Sequence, residues 1–361
     1  MAIAAPKSYD TELGELLSGV GKGKLQLPEF QRNWTWDDER IRNIIASLSK
    51  AYPMGAIMCL NCGGDEIRLK YRTFEGVEAS TEDAETLVLD GQQRLTSLYC
   101  SLYGKAPVKT TNERGQGIER YYYLDMRRCL DPDEDRLDAI VSVPETRQVT
   151  RDFGREVVLD LTSREREIEE LMFPANLVFD SDGQDDWFTE YIERYELKSE
   201  EYDLWKSFKE DVLRTMTNYK IPVITLDKTT PREAVCKVFE NVNTGGVSLT
   251  VFELVTATFA TYDFDLRGNW TKVVRPRVWA VDKDIRTDVM QGVDETTFLT
   301  AMTLYTTYLA KRKREATDGK GHTSCKKKDV LALRYEDYDA NLPALLDGFD
   351  MARELLIGER I

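Results

Sequence analysis

Apolar positions along the chain recur with two spacings, and the changes of spacing mark the elements. DTELGELLSGV (10–20) has the pattern of a short amphipathic helix ending in glycines, and KLQLPEFQRNWTW (24–36) is extended and broken by Pro28. DDERIRNIIASLSKAY (37–52) opens on acids suited to a helix cap and places Ile41, Ile44, Ile45 and Leu48 on one face. MGAIMCLNC (54–62) and EIRLKYRTF (66–74) read as strands around a Gly-Gly-Asp turn. ETLVLD (85–90) reads as a buried strand that runs into a helix over 91–103, and YYYLDM (121–126), AIVSV (139–143) and EVVLDL (156–161) as further strands. From about 164 to 218 the pattern is mainly helical. KIPVITLD (220–227) returns as one apolar strand, and helices follow over 231–243 and 248–260 with a stop at Asn243-Thr244-Gly245-Gly246. Residues 261–361 read as helical apart from one basic loop, and a helical pattern still runs at the last residue, which suggests part of a longer protein. The expected class is α/β (α+β): a mixed-sheet domain over 1–260 with a helical segment at about 164–218, and a helical extension over 261–361.

Composition narrows this picture. A chain of 361 residues with 42% hydrophobic content can hold one large domain or two ordinary ones. No run approaches the length of a membrane span, and MAIAAPKSYD lacks the basic and apolar regions of a secretory signal. Cysteines are scattered, Cys59 and Cys62 forming the one close pair. With a single histidine and no second C-x-x-C, that pair reads as two small residues on a strand rather than half a zinc site. These features point to a reduced, cytoplasmic protein without a membrane anchor.

The net charge of −15 argues against a generic nucleic-acid coat, because such binding comes from neutralising phosphates. The charge is uneven. KRKREATDGKGHTSCKKK (311–328) carries eight Lys or Arg against two acids, as a solvated loop or a contact for a polyanion. DPDEDRLD (131–138) and DSDGQDD (180–186) hold part of the opposing charge, the second as a helix-capping loop without the residue order of an EF-hand. GVGKGK (19–24) has neither the spacing nor the preceding strand of a phosphate loop.

The chemistry concentrates in LVLDGQQRLTSLY (87–99). A strand that turns directly into a helix leaves the first helical N–H groups unpaired, and these with the helix dipole favour an anion. Gly91 admits a ligand close to the backbone, and Arg94 can direct a permanently charged fork at phosphate. Asp90 can cap the helix, hold Arg94, or hold Mg²⁺ together with substrate phosphates. Gln92 and Gln93 offer amides to a nucleotide or a water. The plainer alternative is an N-cap, a tight turn and a surface salt bridge. LPEFQRNWTW (27–36) sets Gln31 and Arg32 among Phe30, Trp34 and Trp36, a mixture suited either to a nucleotide or to a core with a solvated arginine. FENVNTGGVSLTVFEL (239–254) brings Asn241 and Asn243 before a glycine pair, as a ligand loop or as a helix stop.

In this order, with YPMGAI (52–57) between the first two, the three stretches resemble the N-terminal domain family of GmrSD-type (type IV) restriction endonucleases, over roughly 10–260. The resemblance implies a ParB/sulfiredoxin-like fold and a role in prokaryotic anti-phage defence. It ties Asp90, Gly91, Gln92, Gln93 and Arg94 to binding and hydrolysis of a nucleoside triphosphate with Mg²⁺, Asp90 being the metal candidate and Asp90, Gln93 and Arg94 the catalytic ones. Gln31, Arg32 and Asn243 would complete the pocket, and Pro28, Phe30, Gln31 and Arg32 would take part in sensing a DNA modification. The expected partners are modified or phage-derived DNA, the nucleotide, and a nuclease. An HNH nuclease centre needs histidines as base and metal ligand, and only His322 is present, so these residues are not expected to include that centre: cleavage lies beyond Ile361, or a partner supplies it, or this member does not cut DNA. The rival readings are a regulatory module that binds nucleotide or DNA phosphate without hydrolysis, and a metal-dependent DNA nickase.

Overall fold

The structure is a computed structural model and describes residues 6–63, 69–77, 83–152, 155–195, 199–231, 233–235, 237–238, 250–279, 290–316 and 321–358. The chain begins with β1 (Lys7–Glu12), α1 (Leu13–Gly21), β2 (Leu25–Pro28), α2 (Asp38–Ser49), β3 (Ile57–Asn61), β4 (Tyr71–Arg72), β5 (Thr86–Asp90) and α3 (Gln92–Leu102). Strands β6 (Val108–Thr111), β7 (Gly117–Asp125), β8 (Ile140–Pro144), β9 (Gln148–Arg151), β10 (Glu156–Asp160), β11 (Met172–Pro174) and β12 (Lys220–Leu226) follow. Helices dominate the described residues from 251 onward. The class is the expected mixture of α and β with a helical C-terminal region.

The main sheet has the order β1-β12-β3-β5-β2-β4. β12 runs parallel to β3 and β2 parallel to β5, while β3 and β5 are antiparallel. This direction pattern has one consequence for function. The chain leaving β2, the chain leaving β5 and the chain entering β3 all lie at the same edge, which gathers LPEFQRNWTW, LVLDGQQRL and YPMGAI from three places in the sequence.

Both faces of this sheet are covered, which explains the uninterrupted Leu87-Val88-Leu89 run. Val88 joins Ile57, Cys59 and Val223 in a core shared with α1, α2 and α3. Leu87 and Leu89 join Leu60 and Leu226 on the other face, where Leu254, Ala257 and Leu331 cover them. Helix Val251–Phe259 is used twice. Its Phe252, Val255 and Phe259 belong to a separate helical core with Trp270, Phe298, Met302 and Tyr338.

Some elements differ from the sequence reading. Residues 7–12, whose second half was assigned to the first helix, pair along their full length with β12, so the helix starts at Leu13. The strand expected over 66–74 is confined, among the described residues, to Tyr71–Arg72, which pair only with Leu27 and Pro28. Within the helical 164–218 segment, β11 pairs with β7, and Phe173 sits 5.2 Å from the Trp187 ring, between centroids. The basic stretch is only partly a loop. Residues 311–315 continue helix Glu295–Glu315, and Lys327 and Lys328 open helix Lys327–Leu331. Lys, Arg and Glu are good helix formers, and cations are favourable near a helix C-terminus. Among the described residues, no helix is long and apolar enough to cross a membrane, and the cysteines carry no disulfide.

Leu254 is 2% exposed and carries the contact between helix Val251–Phe259 and the sheet. Leu254→Ala is expected to cost about 2–5 kcal/mol, as for other large-to-small changes in cores. Urea unfolding followed by circular dichroism measures it.

Candidate functional site

At the shared sheet edge, β5 ends at Asp90 and Gly91 turns the chain into α3. Gly91 stands at φ +95°, a left-handed backbone that side chains disfavour, and a Cβ there would lie 2.3 Å from Ile57 Cδ1. Glycine is required twice over. As N-cap it offers no side-chain acceptor to the first N–H groups of α3. The first backbone N–H of the turn to find an intrahelical partner is that of Leu95, which donates to the Gly91 carbonyl at 2.9 Å. The start of α3 therefore carries the positive end of the helix dipole without a capping side chain.

The polar residues around it are largely interlocked with one another. β2 pairs with β5 only at Leu25–Thr86 and Gln26–Leu87 before it diverges. Pro28 ends it, and a turn follows in which Gln31 N–H donates to the Pro28 carbonyl at 3.1 Å. The Gln31 side-chain amide then reaches back to the carbonyls of Val88 and Leu89, at 2.8 and 3.0 Å. It replaces the backbone donors that β2 no longer supplies. Its oxygen Oε1 is buried and without a hydrogen-bond partner. Phe30 packs against the Leu87–Leu89 side of the sheet.

Two further glutamines hold the next four residues against α3. Gln92 donates to the Arg32 carbonyl at 2.8 Å. Gln93 accepts from Thr35 N–H at 2.9 Å and donates to the Asn33 carbonyl at 3.2 Å. Both glutamines are buried, so these bonds satisfy amides that would otherwise be costly to place there. One turn on, Ser97 Oγ accepts from the Trp34 indole at 3.0 Å. Arg72 and Glu75 close the outside: Glu75 accepts from Trp34 N–H at 3.0 Å, and Arg72 donates to the Arg32 carbonyl at 3.3 Å. Asn33, Thr35, Arg72, Glu75 and Ser97 thus belong to the site without having been singled out by their sequence context, and Trp34, read there only as an aromatic neighbour, is held by its indole and backbone N–H groups.

Arg94 ties the third segment in. Its Nη1 donates to the Met54 carbonyl and its Nη2 to the Ala56 carbonyl at 2.8 Å and to Asp90 Oδ2 at 3.1 Å. Gly55 lies between those two carbonyls at φ +80°, and a Cβ there would stand 2.7 Å from Arg94 Nη1. The glycine of YPMGAI is therefore a sequence-visible signal of where Arg94 sits. Asp90 pairs with Met58 across a β-bulge in the β3–β5 ladder, and its carboxylate is partly open to solvent. Bulges of this kind re-aim side chains beside functional sites.

The structure thus gathers Pro28, Phe30, Gln31, Arg32, Asp90, Gly91, Gln92, Gln93 and Arg94 at one edge. Among the described residues, Arg94 Nε–H and one Nη1–H have no partner beyond the bonds above. The Arg32 side chain is exposed, and among the described residues its guanidinium has no partner. Asn243 lies outside the described residues. A nucleotide fits the donor set of backbone N–H groups with one fixed and one solvent-facing guanidinium. The Cβ position of Gly91, expected from the sequence to be open to a ligand, is instead filled by Ile57. Among the described residues no three His, Cys, Asp or Glu side chains gather as a metal site, so a Mg²⁺ held by Asp90 would draw its other ligands from phosphate and water.

The contact between Gly55 and Arg94 is testable by a double-mutant cycle. Gly55→Ala is expected to cost about 1–3 kcal/mol through backbone strain and crowding. In the Arg94→Ala background its cost is expected to fall by at least ~0.5 kcal/mol, because the crowding partner is gone. Denaturant titration of the four proteins gives the coupling.

Comparison with known proteins places this geometry. An uncharacterized protein of Methanocaldococcus jannaschii is 26% identical over 280 residues, which cover 73% of this chain and 44% of the relative, so the chain spans less than half the length of that protein. Residues 13–260 match the family described as the GmrSD restriction endonuclease, N-terminal domain. That span contains the main sheet except its edge strand β1, together with α1 to α3 and every motif gathered at the site, and the chain belongs to this family of restriction-system domains.

Proposed function

We propose that the start of α3 binds the phosphates of a nucleoside triphosphate with Mg²⁺, and that its hydrolysis is coupled to recognition of foreign or modified DNA. The observation that carries this reading is the uncapped N-terminus of α3 at Gly91, where the first helical N–H groups and the helix dipole favour a bound anion. Membership of a restriction-endonuclease family supports DNA as the substrate class.

In this reading each residue has a distinct role. The N–H groups after Gly91 and the remaining N–H groups of Arg94 contact phosphate from a fixed frame. Arg32, held by its backbone to Gln92 and with its charge facing solvent, closes over the phosphates. Asp90 orients the metal or the attacking water. Gln92 and Gln93 keep the 32–35 segment seated on α3, and Gln93 serves the reaction by that positioning. Pro28, Phe30, Gln31 and Arg32 form the wall that meets the DNA modification, and Asn243 closes the pocket. Bound Mg²⁺ would supply charge neutralisation on the phosphate oxygens. DNA cleavage is assigned to a nuclease centre outside these residues, since His322 alone cannot build an HNH centre. The protein is placed in the cytoplasm.

Arg32→Ala separates function from folding, because its guanidinium holds no described partner. The variant is expected to keep the wild-type melting temperature and to lose about 10²–10³-fold in triphosphate turnover, the range for removing a preorganised charge donor. Phosphate release is measured with each of four nucleoside triphosphates, with and without modified DNA. Absence of release from the wild type under all these conditions overturns hydrolysis, and tight calorimetric binding without turnover replaces it with a regulatory nucleotide switch.

A further inference from the structure

A second polar cavity lies beyond the opposite end of α3. Its origin is a gap in sheet pairing. β6 pairs with β7 from Gly117 to Arg120, and β11 pairs with the same strand from Tyr123 to Asp125. Between them, Tyr121 and Tyr122 have a strand neighbour only on the β8 side. The gap opens into a cavity of about 210 Å³, bounded by the C-terminal end of α3, β7 and the residues around 162–167 and 174–177.

The walls of this cavity carry Arg120, Arg147, Arg164 and one carboxylate, Glu167. Glu167 is buried and already engaged: it accepts from the Tyr123 hydroxyl at 3.0 Å and lies 3.6 Å from Arg147 and 3.5 Å from Arg164. Burial pushes its carboxyl above the usual range, against the pull of these partners. Arg147 also stacks over the Tyr121 ring at 4.4 Å, and Arg164 shares its charge with Glu190 at 3.4 Å. Even counting Glu190, the cations exceed the anions by one.

The excess is not evenly shared. Arg120 has no ion-pair or hydrogen-bond partner among the described residues, and its Nε is buried and unsatisfied. Leaving a buried guanidinium N–H unpaired is costly, and native structures rarely retain one without a reason. The Asn176 amide on the same wall is likewise unpaired among the described residues. The Tyr122 hydroxyl donates to Asp38 at 2.8 Å and the Tyr123 hydroxyl to Glu167, so both protons are already committed within the protein. The cavity therefore offers an unpaired guanidinium donor and an excess of positive charge, which is the chemistry that selects an oxyanion.

We propose that this cavity is a second anion site, which takes phosphate either free or as the end group of a small ligand, with Arg120 and Asn176 as direct contacts and Arg147 and Arg164 as the surrounding charge. The site is independent of the nucleotide reading at the α3 N-terminus.

Binding of inorganic phosphate and of a nucleoside monophosphate to the full chain is measured by calorimetry at constant ionic strength. The wild type is expected to bind saturably. Arg120→Gln, which removes no structural partner, and Asn176→Asp, which places a carboxylate in the cavity, are each expected to weaken binding at least tenfold. Stronger binding of the monophosphate identifies a larger phosphorylated ligand as the occupant, and equal binding identifies the free ion. Circular dichroism and melting without phosphate establish that the variants are folded. No saturable binding by the wild type overturns the proposal. So does wild-type affinity in both folded cavity variants, because the phosphate would then sit elsewhere.

Discussion

The Arg94 guanidinium is the constraint on which the site depends. It joins the start of α3 to the carbonyls on either side of Gly55 and to the carboxylate that ends β5. A charged donor shared among two carbonyls and a carboxylate in a partly buried position is a strong and directional tie. It fixes the angle at which the helix leaves the sheet, and so the direction of its unpaired N–H groups. The glutamines act on the opposite flank. Gln31 continues a ladder that β2 abandons, and Gln92 and Gln93 clamp the backbone that follows. Two independent sets of bonds thus hold a helix terminus that has no cap of its own.

This arrangement divides the polar residues of the edge into a frame and a face. Gln31, Gln92, Gln93 and most of Arg94 are directed at protein backbone. Arg32 and the Asp90 carboxylate remain on the open side. A functional centre built in this way places reactive groups on a scaffold tied together by its own hydrogen bonds, which is how preorganisation is achieved at a strand–helix junction.

Much of the fold was legible because burial imposes period. The Leu87-Val88-Leu89 run, the Ile41–Leu48 helix face and the apolar strand at 220–227 all appear where expected. What failed locally was decided at a distance. Residues 7–12 carry no strong strand signal and are extended because β12 offers them an edge. β11 is hidden within a helical stretch because Phe173 is called into an aromatic cluster. The site was legible in its residue types and only partly in their duties. Asp90, Gly91 and Arg94 announce a junction, but no local pattern says that two glutamines grip the backbone sixty residues earlier, or that Glu75 caps Trp34. Such duties follow from strand direction, which periodicity alone does not contain.

Helix Val251–Phe259 has a mechanical consequence. One of its flanks is seated on the sheet and the other in the helical core, and packed interiors resist sliding because a displaced side chain leaves a void. The helix cannot tilt toward one core without loosening the other. It is a wall common to both cores, so the packing behind β5, the strand that carries Asp90, is continuous with that of the C-terminal helices.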